Sequence, residues 1–548
     1  MAGLLTGPFL GAALLFFLFF RKWNSGLDHI PLVKYNSYLP DILNRIIYYP
    51  KAWLMIQRGY ELVWTSSNCH SLFCMSYIDN SQYKESPFRM LTGDGEVVVL
   101  PTKYLDELRY MVASDLSSLH AQYENALGDY TNIVISSYLP ATTIRKCLNP
   151  SLARVIPWII DELQDAFQEA MPDCEDDWVA IEPHDVFVRL IVRATSRVGA
   201  GHVLRRNEKW IQAASNYSVN VGITILLLRP LPNFLRPFVA PFLPSVRQIN
   251  QQLRYVKQLF APMVNERRVA EAANDPTYKK PDDFLQWMMD GAEDEQDFDP
   301  ELLAHHMLLI MSLAITHTSS IALTHTLYDL IARPEYQAPL REEVRRTLQS
   351  GWEKATKASF DAQRRLDSFM RESQRFNPPG DLSMHRIVMH PLTLSDGIVL
   401  PRGTHICFPS GPMTRDSTFI DDPNAFDGFR WCRDPNDRNA LALTKKIGDP
   451  DDIDSEKLQP LSRKSTNPGS YVTITPATMH FGFGRQSCPG RFFASYLLKA
   501  ILSRILMDYE FKFAKDQAGW RPANLYVGEH IFPNTHTPVL LRKRQVRA

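Results

Sequence analysis

The longest helical pattern in the chain lies in its second half and sets a minimum size for the fold. Asp299 fits an N-cap position, and Pro300 fits the first helical position. The pattern then runs to Arg333, and Pro334 ends it. At a rise of about 1.5 Å per residue, this helix is roughly 50 Å long, enough to cross a whole domain. The pattern therefore predicts a large globular body in which helices dominate.

Length and charge agree with one large globular unit. The chain has 548 residues, well above the size at which one core can bury enough apolar surface. Sixty basic residues balance 60 acidic ones, so the formal net charge is +0 and no basic footprint for nucleic acid is present. The cysteines show no paired metal-ligand spacing, and their odd number argues against a disulfide framework. We therefore expect the catalytic part of the chain to face a reducing compartment. The seven cysteines are Cys69, Cys74, Cys147, Cys174, Cys407, Cys432 and Cys488.

A glycine-rich loop near the C-terminus carries the last of these cysteines. Residues 481–490 read Phe-Gly-Phe-Gly-Arg-Gln-Ser-Cys-Pro-Gly, and an apolar helical pattern follows from Arg491 to Asp508. Glycines let backbone N–H groups approach a sulfur and a flat cofactor, and the positive end of the helix favours a thiolate. A lone cysteine cannot make a structural zinc site, but it can be the proximal ligand of a haem iron. The alternative is a buried structural cysteine before a core helix.

This loop resembles the haem-binding signature of the cytochrome P450 superfamily, Phe-x-x-Gly-x-Arg-x-Cys-x-Gly. The matching residues are Phe481, Gly484, Cys488 and Gly490. Where the family has Arg or His, this chain has Gln486, and Arg485 stands one residue earlier. The resemblance implies a haem b whose iron takes Cys488 as its axial thiolate. In the family, the basic residue at this position contacts a haem propionate. In this chain the contact is either lost, because Gln486 carries no charge, or made by Arg485 instead.

Further motifs of the same family occur in the expected order. Glu372 and Arg375 form Glu-x-x-Arg on one helical turn, and residues 426–431 resemble the fungal Phe-Asp-Gly-Phe-Arg-Phe motif. The resemblance implies that Arg430 joins Glu372 and Arg375 in a structural network behind the Cys488 loop. Taken alone, such a pair is usually a solvated surface pair. Arg386 matches a position that often contacts a haem propionate, with a surface arginine as the alternative.

Within the long helix, residues 314–319 align with the family segment Ala-Gly-x-Asp/Glu-Thr-Thr, which lies over the distal face of the haem. Thr318 falls on the threonine of the family's oxygen-binding site. The alternative for Thr318 is a hydroxyl that only bonds back to its own helix. His317 replaces the acidic residue, and we expect it to relay protons because an imidazole titrates near neutrality. Ile315 replaces glycine and narrows the space above the iron.

The first residues of the chain form an apolar run. Residues 4–20 are apolar throughout, and Arg21 and Lys22 follow at once. This pattern predicts a single-pass membrane anchor with the rest of the chain in the cytosol, and a signal peptide is the competing interpretation. We expect an anchor over residues 1–22, a hinge over residues 23–50 and a haem-thiolate catalytic domain over residues 51–548. By resemblance, the membrane is that of the endoplasmic reticulum.

Short strand patterns accompany the helices. Glu96–Leu100 reads as a strand, and residues 394–399 read as a hairpin with Asp-Gly at its turn. The predicted fold class is mainly α with a smaller β-rich lobe (α+β), a cytochrome P450 fold behind one N-terminal transmembrane helix. Residues 223–244 are apolar and rich in proline, so they cannot form one continuous helix. They are expected to form the roof of the active site and a loop that touches the membrane, or else ordinary loop core. Residues 437–473 are expected to be a solvated surface insertion.

The motifs together predict a membrane-anchored haem-thiolate monooxygenase similar to fungal cytochromes P450. No flavin or nicotinamide fingerprint is visible, so the resemblance implies electrons from an NADPH-dependent reductase, with O2 as co-substrate. The expected substrate is a lipophilic secondary-metabolite intermediate: a terpenoid first, and otherwise a meroterpenoid, an indole alkaloid or a polyketide. One alternative is a haem-thiolate isomerase or dehydratase that needs no O2. A more distant one is a membrane-bound interaction protein without catalysis.

Overall fold

The computed structural model describes residues 26–61, 86–133, 137–204, 206–432, 469–515 and 519–545. The predicted anchor at residues 4–20 and most of the predicted insertion at residues 437–473 lie outside these ranges. The proposed division at residue 50 stays a prediction, and the helix Asp41–Glu61 runs through it. Leu32–Val33, within the predicted hinge, pairs with a strand of the main sheet.

Helices make up most of the described structure, as the sequence predicts. The α-helices are Asp41–Glu61, Leu105–Leu108, Ser118–Asn125, Gly128–Thr131, Leu139–Thr143, Leu152–Ala170, Pro183–Ala200, Glu208–Leu228, Arg236–Val239, Pro244–Ala272, Phe284–Asp290, Pro300–Leu308, Thr318–Ala332, Gln337–Thr347, Lys357–Asp361, Arg364–Phe376, Ser410–Met413 and Arg491–Asp508. The last of these has the bounds predicted from its apolar pattern. Its residues Leu497, Leu498, Ile501, Leu502, Ile505 and Leu506 are all buried.

The strands form a smaller lobe beside the helices. They are β1 Leu32–Val33, β2 Phe88–Leu91, β3 Glu96–Val99, β4 Leu116–Ser117, β5 Val179–Ile181, β6 Ser383–Val388, β7 Leu392–Thr393, β8 Val399–Leu400, β9 His405–Phe408, β10 Tyr509–Phe513, β11 Leu525–Val527, β12 His530–Phe532 and β13 Val539–Lys543. The main sheet has the order β1-β2-β3-β9-β6-β4. The predicted hairpin is confirmed, because β7 pairs with β8 and Gly397 at its turn has a positive φ of 87°.

The predicted long helix is present but is not a regular α-helix throughout. Pro300–Leu308 and Thr318–Ala332 are α-helical, and the nine residues Leu309–His317 between them have π-helical hydrogen bonding. The Asp299 side chain accepts a hydrogen bond from the amide of Glu301, so the predicted N-cap is confirmed. Irregular turns of this kind are frequent at functional sites, and this one covers most of the segment aligned above.

Two helices in the described part of the chain are long and apolar enough to cross a membrane, namely Glu208–Leu228 and Pro300–Ala332. Half or more of the apolar stretch of each is buried against the rest of the protein. Both therefore fit core helices of a large domain. After Leu228, the proline-rich segment breaks into the short helix Arg236–Val239 and a 3-10 turn, as its prolines require.

Candidate functional site

The Cys488 loop is shaped by two glycines with left-handed backbone. Gly482 has φ 75° and Gly484 has φ 71°, and the amide of Cys488 donates to the carbonyl of Phe481 at 2.8 Å. A Cβ atom at Gly484 would overlap the carbonyl oxygen of Arg109, whose oxygen accepts from the amide of Arg485 at 2.9 Å. Glycine is therefore needed at residue 484 for both backbone conformation and space.

The thiol of Cys488 is exposed although protein surrounds it on most sides, which places it at the wall of an internal cavity. Burial raises the pKa of this thiol. The amides of Gly490 and Arg491 and the charges of Arg491 and Arg145 act in the opposite direction. The C-terminal helix begins at Arg491, directly after the loop. Its first amides and the two arginines thus favour the thiolate, the form that ligates a metal.

Behind the loop, the three residues of the predicted network meet. Arg375 places Nη2 2.7 Å from Oε1 and Nε 3.0 Å from Oε2 of Glu372, and both side chains are fully buried. Arg430 Nε lies 3.3 Å from Glu372 Oε1. The indole of Trp431 and the amide of Asp427 also donate to this carboxylate, each at 3.0 Å. The motif residues therefore converge on a single buried anion.

The protonation state of Glu372 follows from these contacts. Burial by itself would raise the pKa of the carboxyl, but Arg375, the amide of Asp427 and Arg430 lower the pKa by more. Arg375 also donates from Nη1 to the carbonyls of Thr414 and Pro423, each at 2.7 Å. The network thereby joins the helix Arg364–Phe376 to residues 414–423.

Gln486 has a different use from the Arg or His of the family pattern. Its Oε1 accepts from the amide of Ser118 at 2.9 Å, and its Nε2 donates to the carbonyl of Leu116 at 2.9 Å. The side-chain amide thus satisfies one donor and one acceptor of strand β4 and the helix after it. Both polar atoms of the side chain thus bond to the protein backbone. An arginine could donate to the carbonyl of Leu116 but could not accept from the amide of Ser118.

Three arginines stand near the same region without an anionic partner among the described residues. Arg386 is buried and donates from Nη1 to the carbonyl of His385 at 2.7 Å. Burial lowers its pKa to about 10, while the nearby Tyr138 opposes that fall. Arg145 lies close to Arg485, Cys488 and Tyr138, and burial together with Arg485 lowers its pKa. Such a group of cations matches a ligand with two carboxylates, as a haem has.

Arg145 is a residue that sequence reasoning missed. It lies in the short π-helical turn Ile144–Leu148, which follows the helix Leu139–Thr143. Arg145 does not stand out by its charge, because its neighbour Lys146 is also basic. No regular spacing along the chain relates Arg145 to Cys488. Only the fold brings these two residues, 343 positions apart, into electrostatic contact.

On the long helix, Ala314 and Thr318 are exposed within a segment whose other residues are mostly buried. The hydroxyl of Thr318 donates to the carbonyl of Ala314 at 2.7 Å. Its proton is therefore used inside the helix, and its oxygen lone pairs remain free to accept a hydrogen bond in the cavity. Thr318 can therefore bond back to its own helix and still accept a hydrogen bond from a ligand.

His317 is enclosed beside Thr318. Burial, together with the neighbouring imidazoles of His184 and His530, lowers its pKa to about 4. Its ring lies 6.2 Å from the ring of Phe532, measured between centroids. His317 is therefore neutral at physiological pH, and it differs in this respect from the acid that it replaces.

The fold and the site together define a class: a helical enzyme with one free cysteine at an internal cavity, backed by a buried Glu-Arg network. Comparison with known proteins agrees with this class. The family profile described as "Cytochrome P450" matches residues 128–527. Several curated fungal proteins match nearly the whole chain.

Three relatives illustrate the match. "Cytochrome P450 monooxygenase penP" of Penicillium crustosum is 43% identical over 94% of this chain and 90% of its own length. "Cytochrome P450 monooxygenase AtmP" of Aspergillus flavus is 43% identical over 93% and 88%. "Cytochrome P450 monooxygenase paxP" of Penicillium paxilli is 41% identical over 98% and 95%. The chain belongs to the cytochrome P450 family. It is a P450 monooxygenase, an oxidoreductase of a family whose cofactor is a haem with a cysteine thiolate on the iron.

Proposed function

We propose that this monooxygenase oxidises C–H bonds of a lipophilic secondary-metabolite intermediate, a terpenoid skeleton first, with O2 and electrons from an NADPH-dependent reductase. The observation that carries the proposal is the free thiol of Cys488 at the wall of an internal cavity, beside arginines that have no anionic partner among the described residues. A meroterpenoid, an indole alkaloid or a polyketide would fit the same chemistry.

The residues present fit a haem b. Cys488 would ligate the haem iron and is hence the metal-binding residue, and Arg386, Arg145 and Arg485 would hold the propionates. Phe481, Gly484 and Gly490 shape the loop beneath the ring. Glu372, Arg375 and Arg430 keep the loop in place from behind. When bound, the haem supplies activation of dioxygen and transfer of one oxygen atom, while the protein supplies orientation and exclusion of water.

On the opposite side, Thr318 and His317 are assigned catalytic roles. The free lone pairs of Thr318 Oγ1 accept a hydrogen bond and hold a water or a protonated oxygen group in place. His317 is neutral, so its ring can take a proton at one nitrogen and give one from the other. Both residues thereby hold or move a proton at a position that the apolar helix shields from bulk water.

An apolar substrate is supported by the surface between the helices Glu208–Leu228 and Pro244–Ala272. The side chains of Phe238 and Phe242 are 72% and 75% exposed, and Leu226, Leu227 and Phe234 are nearly half exposed. Exposed apolar clusters of this kind mark contact with a membrane or another apolar partner. We propose that this face touches the endoplasmic reticulum membrane, beside a single-pass anchor at residues 4–20, and admits substrate from the bilayer.

A reduced carbon monoxide difference spectrum of the full chain tests the cofactor assignment. The thiolate-type Soret band is expected, and a spectrum without it overturns the assignment of Cys488. Product formation should require both NADPH and the reductase. Turnover of a substrate without either would instead identify a haem-thiolate isomerase or dehydratase.

Metabolite comparison between a strain with the gene and one without it tests the substrate class. The strain without the gene should accumulate an apolar precursor that lacks one oxygen atom, or a few. Accumulation of only polar, water-soluble precursors would contradict the proposed class. For the membrane contact, lipid vesicles should protect residues 223–244 from proteolysis in a protein without residues 1–22. Equal cleavage with and without vesicles would contradict the contact.

A further inference from the structure

A buried chain of histidines and carboxylates lies outside the machinery described above. His385 Nδ1 is 3.0 Å from His405 Nε2, and His385 Nε2 is 2.9 Å from Glu529 Oε1. His405 Nδ1 is 3.5 Å from Oε2 of Glu124. Glu124 is 55% exposed, whereas His405 and Glu529 are 9% and 8% exposed. Four ionisable groups thus connect the solvent to the interior in a single row.

A strained backbone sets the position of His385 in this row. The preceding residue, Met384, has φ 55°, a left-handed conformation that a residue with a Cβ rarely adopts. The register between β6 and β9 shifts between Ser383 and Arg386. Bulges of this kind re-aim side chains and cluster at functional sites. Here the bulge directs the imidazole of His385 to His405 and Glu529, while Arg386 next to it stays available for the propionate region.

Each ring nitrogen of the two histidines has a neighbour in the row, which restricts where the protons are, although the 2.9 Å contact of His385 Nε2 with Glu529 is not aligned as a hydrogen bond. Glu529 is ionised, because His385 and other neighbouring cations lower its pKa to about 2 although burial opposes them. His385 must then carry a proton on Nε2, and its Nδ1 accepts from Nε2–H of His405. His405 Nδ1 faces Glu124 at the exposed end of the row, so it accepts a proton when Glu124 is protonated from solvent. The row is complete when one proton beyond those of the two neutral rings lies between Glu124 and His405.

This extra proton is weakly held. Burial lowers the pKa of His405, and the carboxylates of Glu124 and Glu529 oppose that fall. The other charged or titratable groups that face the row are Tyr48, whose hydroxyl donates to Glu529 at 3.3 Å, and Asp381, Arg229, Cys407 and His530. A proton held with a pKa below the usual imidazole value is readily passed on.

The inner end of the row reaches the cavity beside the long helix. His530 follows Glu529 directly, and its side chain is exposed although protein surrounds it. Its ring and that of His317 each lie 6.2 Å from the ring of Phe532, measured between centroids. His317 and His530 also interact electrostatically. The end of the row and the Thr318 side of the cavity are therefore neighbours.

We propose that Glu124, His405, His385 and Glu529 form a proton relay that serves the oxygen chemistry at Thr318, in place of the acidic residue that His317 replaces. The proposal rests on the proposed function, since monooxygenation of one substrate consumes one O2, two electrons and two protons and releases one water. A neutral His317 cannot supply these protons unless another group protonates it again. The relay can do so because it reaches His530, the neighbour of His317.

One transfer along the row balances without any other reagent. Glu124, protonated from solvent, gives its proton to Nδ1 of His405, whose Nε2–H gives its proton to Nδ1 of His385. His385 Nε2–H gives its proton to Glu529. The carboxyl of Glu529 then releases a proton through His530 and cavity water, and each ring returns its proton to Nε2 before the next transfer. The net result is one proton moved inward, and each N–H···N and N–H···O contact is of hydrogen-bonding length or close to it.

The variants His405→Gln and His385→Gln test the relay, because a glutamine keeps polar contacts but cannot pass a proton. His536→Gln is the matched control, since His536 is 85% exposed and pairs only loosely with Glu182 at 3.8 Å. The full-chain holoenzyme is supplied with the reductase, NADPH and O2, without added substrate. Reduction of O2 to water consumes two NADPH, and reduction to hydrogen peroxide consumes one.

Both relay variants should oxidise NADPH at least about fivefold more slowly than the wild type. They should also release a larger share of the consumed O2 as hydrogen peroxide. His536→Gln should match the wild type in both measurements. All variants should keep the thiolate-type carbon monoxide band. A wild type without this band would refute the proposed function. Intact bands with unchanged rates and unchanged peroxide shares would refute the relay alone.

A second measurement does not depend on turnover. Nitrogen-15 NMR of labelled histidines should show Nε2 protonated and Nδ1 unprotonated in both His385 and His405 at neutral pH, assigned by loss of signals in the two variants. A ring that carries its proton on Nδ1 would overturn the relay, because that nitrogen could not accept a proton from its neighbour. If a relay variant fails to take up haem, Glu124→Gln at the exposed end replaces it. This variant should slow NADPH oxidation about twofold or more, and an unchanged rate would count against the relay.

Discussion

The Cys488 loop and the Thr318 segment of the long helix are built by different physics. On the Cys488 side, charge-assisted hydrogen bonds converge on the buried carboxylate of Glu372, and a left-handed glycine packs against the backbone of Arg109. At the Thr318 segment, an apolar helix loses its regular hydrogen bonding over Leu309–His317, and Ala314 and Thr318 are exposed on it. Several paired groups thus fix the position of the Cys488 loop, whereas the hydroxyl oxygen of Thr318 can still accept a hydrogen bond.

The difference shows where a family keeps its geometry and where a member can vary. A ligand loop must hold one sulfur in one place, so each of its supports is paired and buried. In the proposed function, the Thr318 segment must accommodate a particular substrate and deliver protons, so its residues can change type. This chain accordingly keeps Glu372, Arg375 and Arg430 but has His317 and Ile315 where the family pattern has an acid and a glycine.

Removal of the ligand should give the largest effect. Cys488→Ser should abolish the thiolate-type carbon monoxide band and monooxygenase activity, because a serine hydroxyl does not ionise near neutral pH. The fold should survive, since the thiol is exposed and makes little packing. The carbon monoxide difference spectrum and circular dichroism check both points. A serine variant with the wild-type spectrum would remove Cys488 from the site.

Two Glu-x-x-Arg pairs in the same chain allow a matched test of the Cys488 side. Glu372 and Arg375 are fully buried at 2.7 Å, whereas Glu342 and Arg345 stand at 2.8 Å with 66% and 64% exposure. Glu372→Gln should lower the free energy of unfolding by about 3 kcal/mol, because it leaves a buried guanidinium without its anion. Glu342→Gln should cost less than about 1 kcal/mol. Denaturant titration measures both, and similar costs would show that burial does not govern the network.

The Thr318 side should respond in catalysis more than in stability. His317→Gln should raise the peroxide released per NADPH and slow product formation about tenfold, since a proton carrier is lost. His306→Gln is the matched control, because His306 lies in the same helix and burial likewise lowers its pKa to about 4. Peroxide and NADPH assays distinguish the two. Equal coupling in the His317 variant and in the wild type would contradict the relay role of His317.

The smallest expected effect is a dependence of stability on pH. His317 has a folded-state pKa of about 4 against 6.5 when unfolded, so the unfolded state binds more protons between these values. The free energy of unfolding should therefore fall as the pH drops from 6.5 toward 4, on the order of 1 kcal/mol per pH unit for this residue. His317→Gln should flatten that slope. Unfolding curves at several pH values measure it, and an unchanged slope would show that His317 is not buried as a neutral ring.

Local patterns in the sequence were sufficient for several features. The C-terminal helix, the cap at Asp299 and the Asp-Gly hairpin were predictable because each depends on neighbours within a few residues. The motif around Cys488 and the family's other motifs also identified the enzyme class. These signals are local in the chain, so no tertiary information is needed to read them.

Tertiary structure alone decided the rest. The π-helical turn within the long helix has no marker in the sequence, and the pairing of Gln486 with strand β4 joins segments about 370 residues apart. Arg145 and the row from Glu124 to Glu529 are likewise assembled from distant segments. The sequence determined which residue types are available and which family they serve. Only packing determined which charges lose water and meet partners, because burial and proximity are properties of the folded chain.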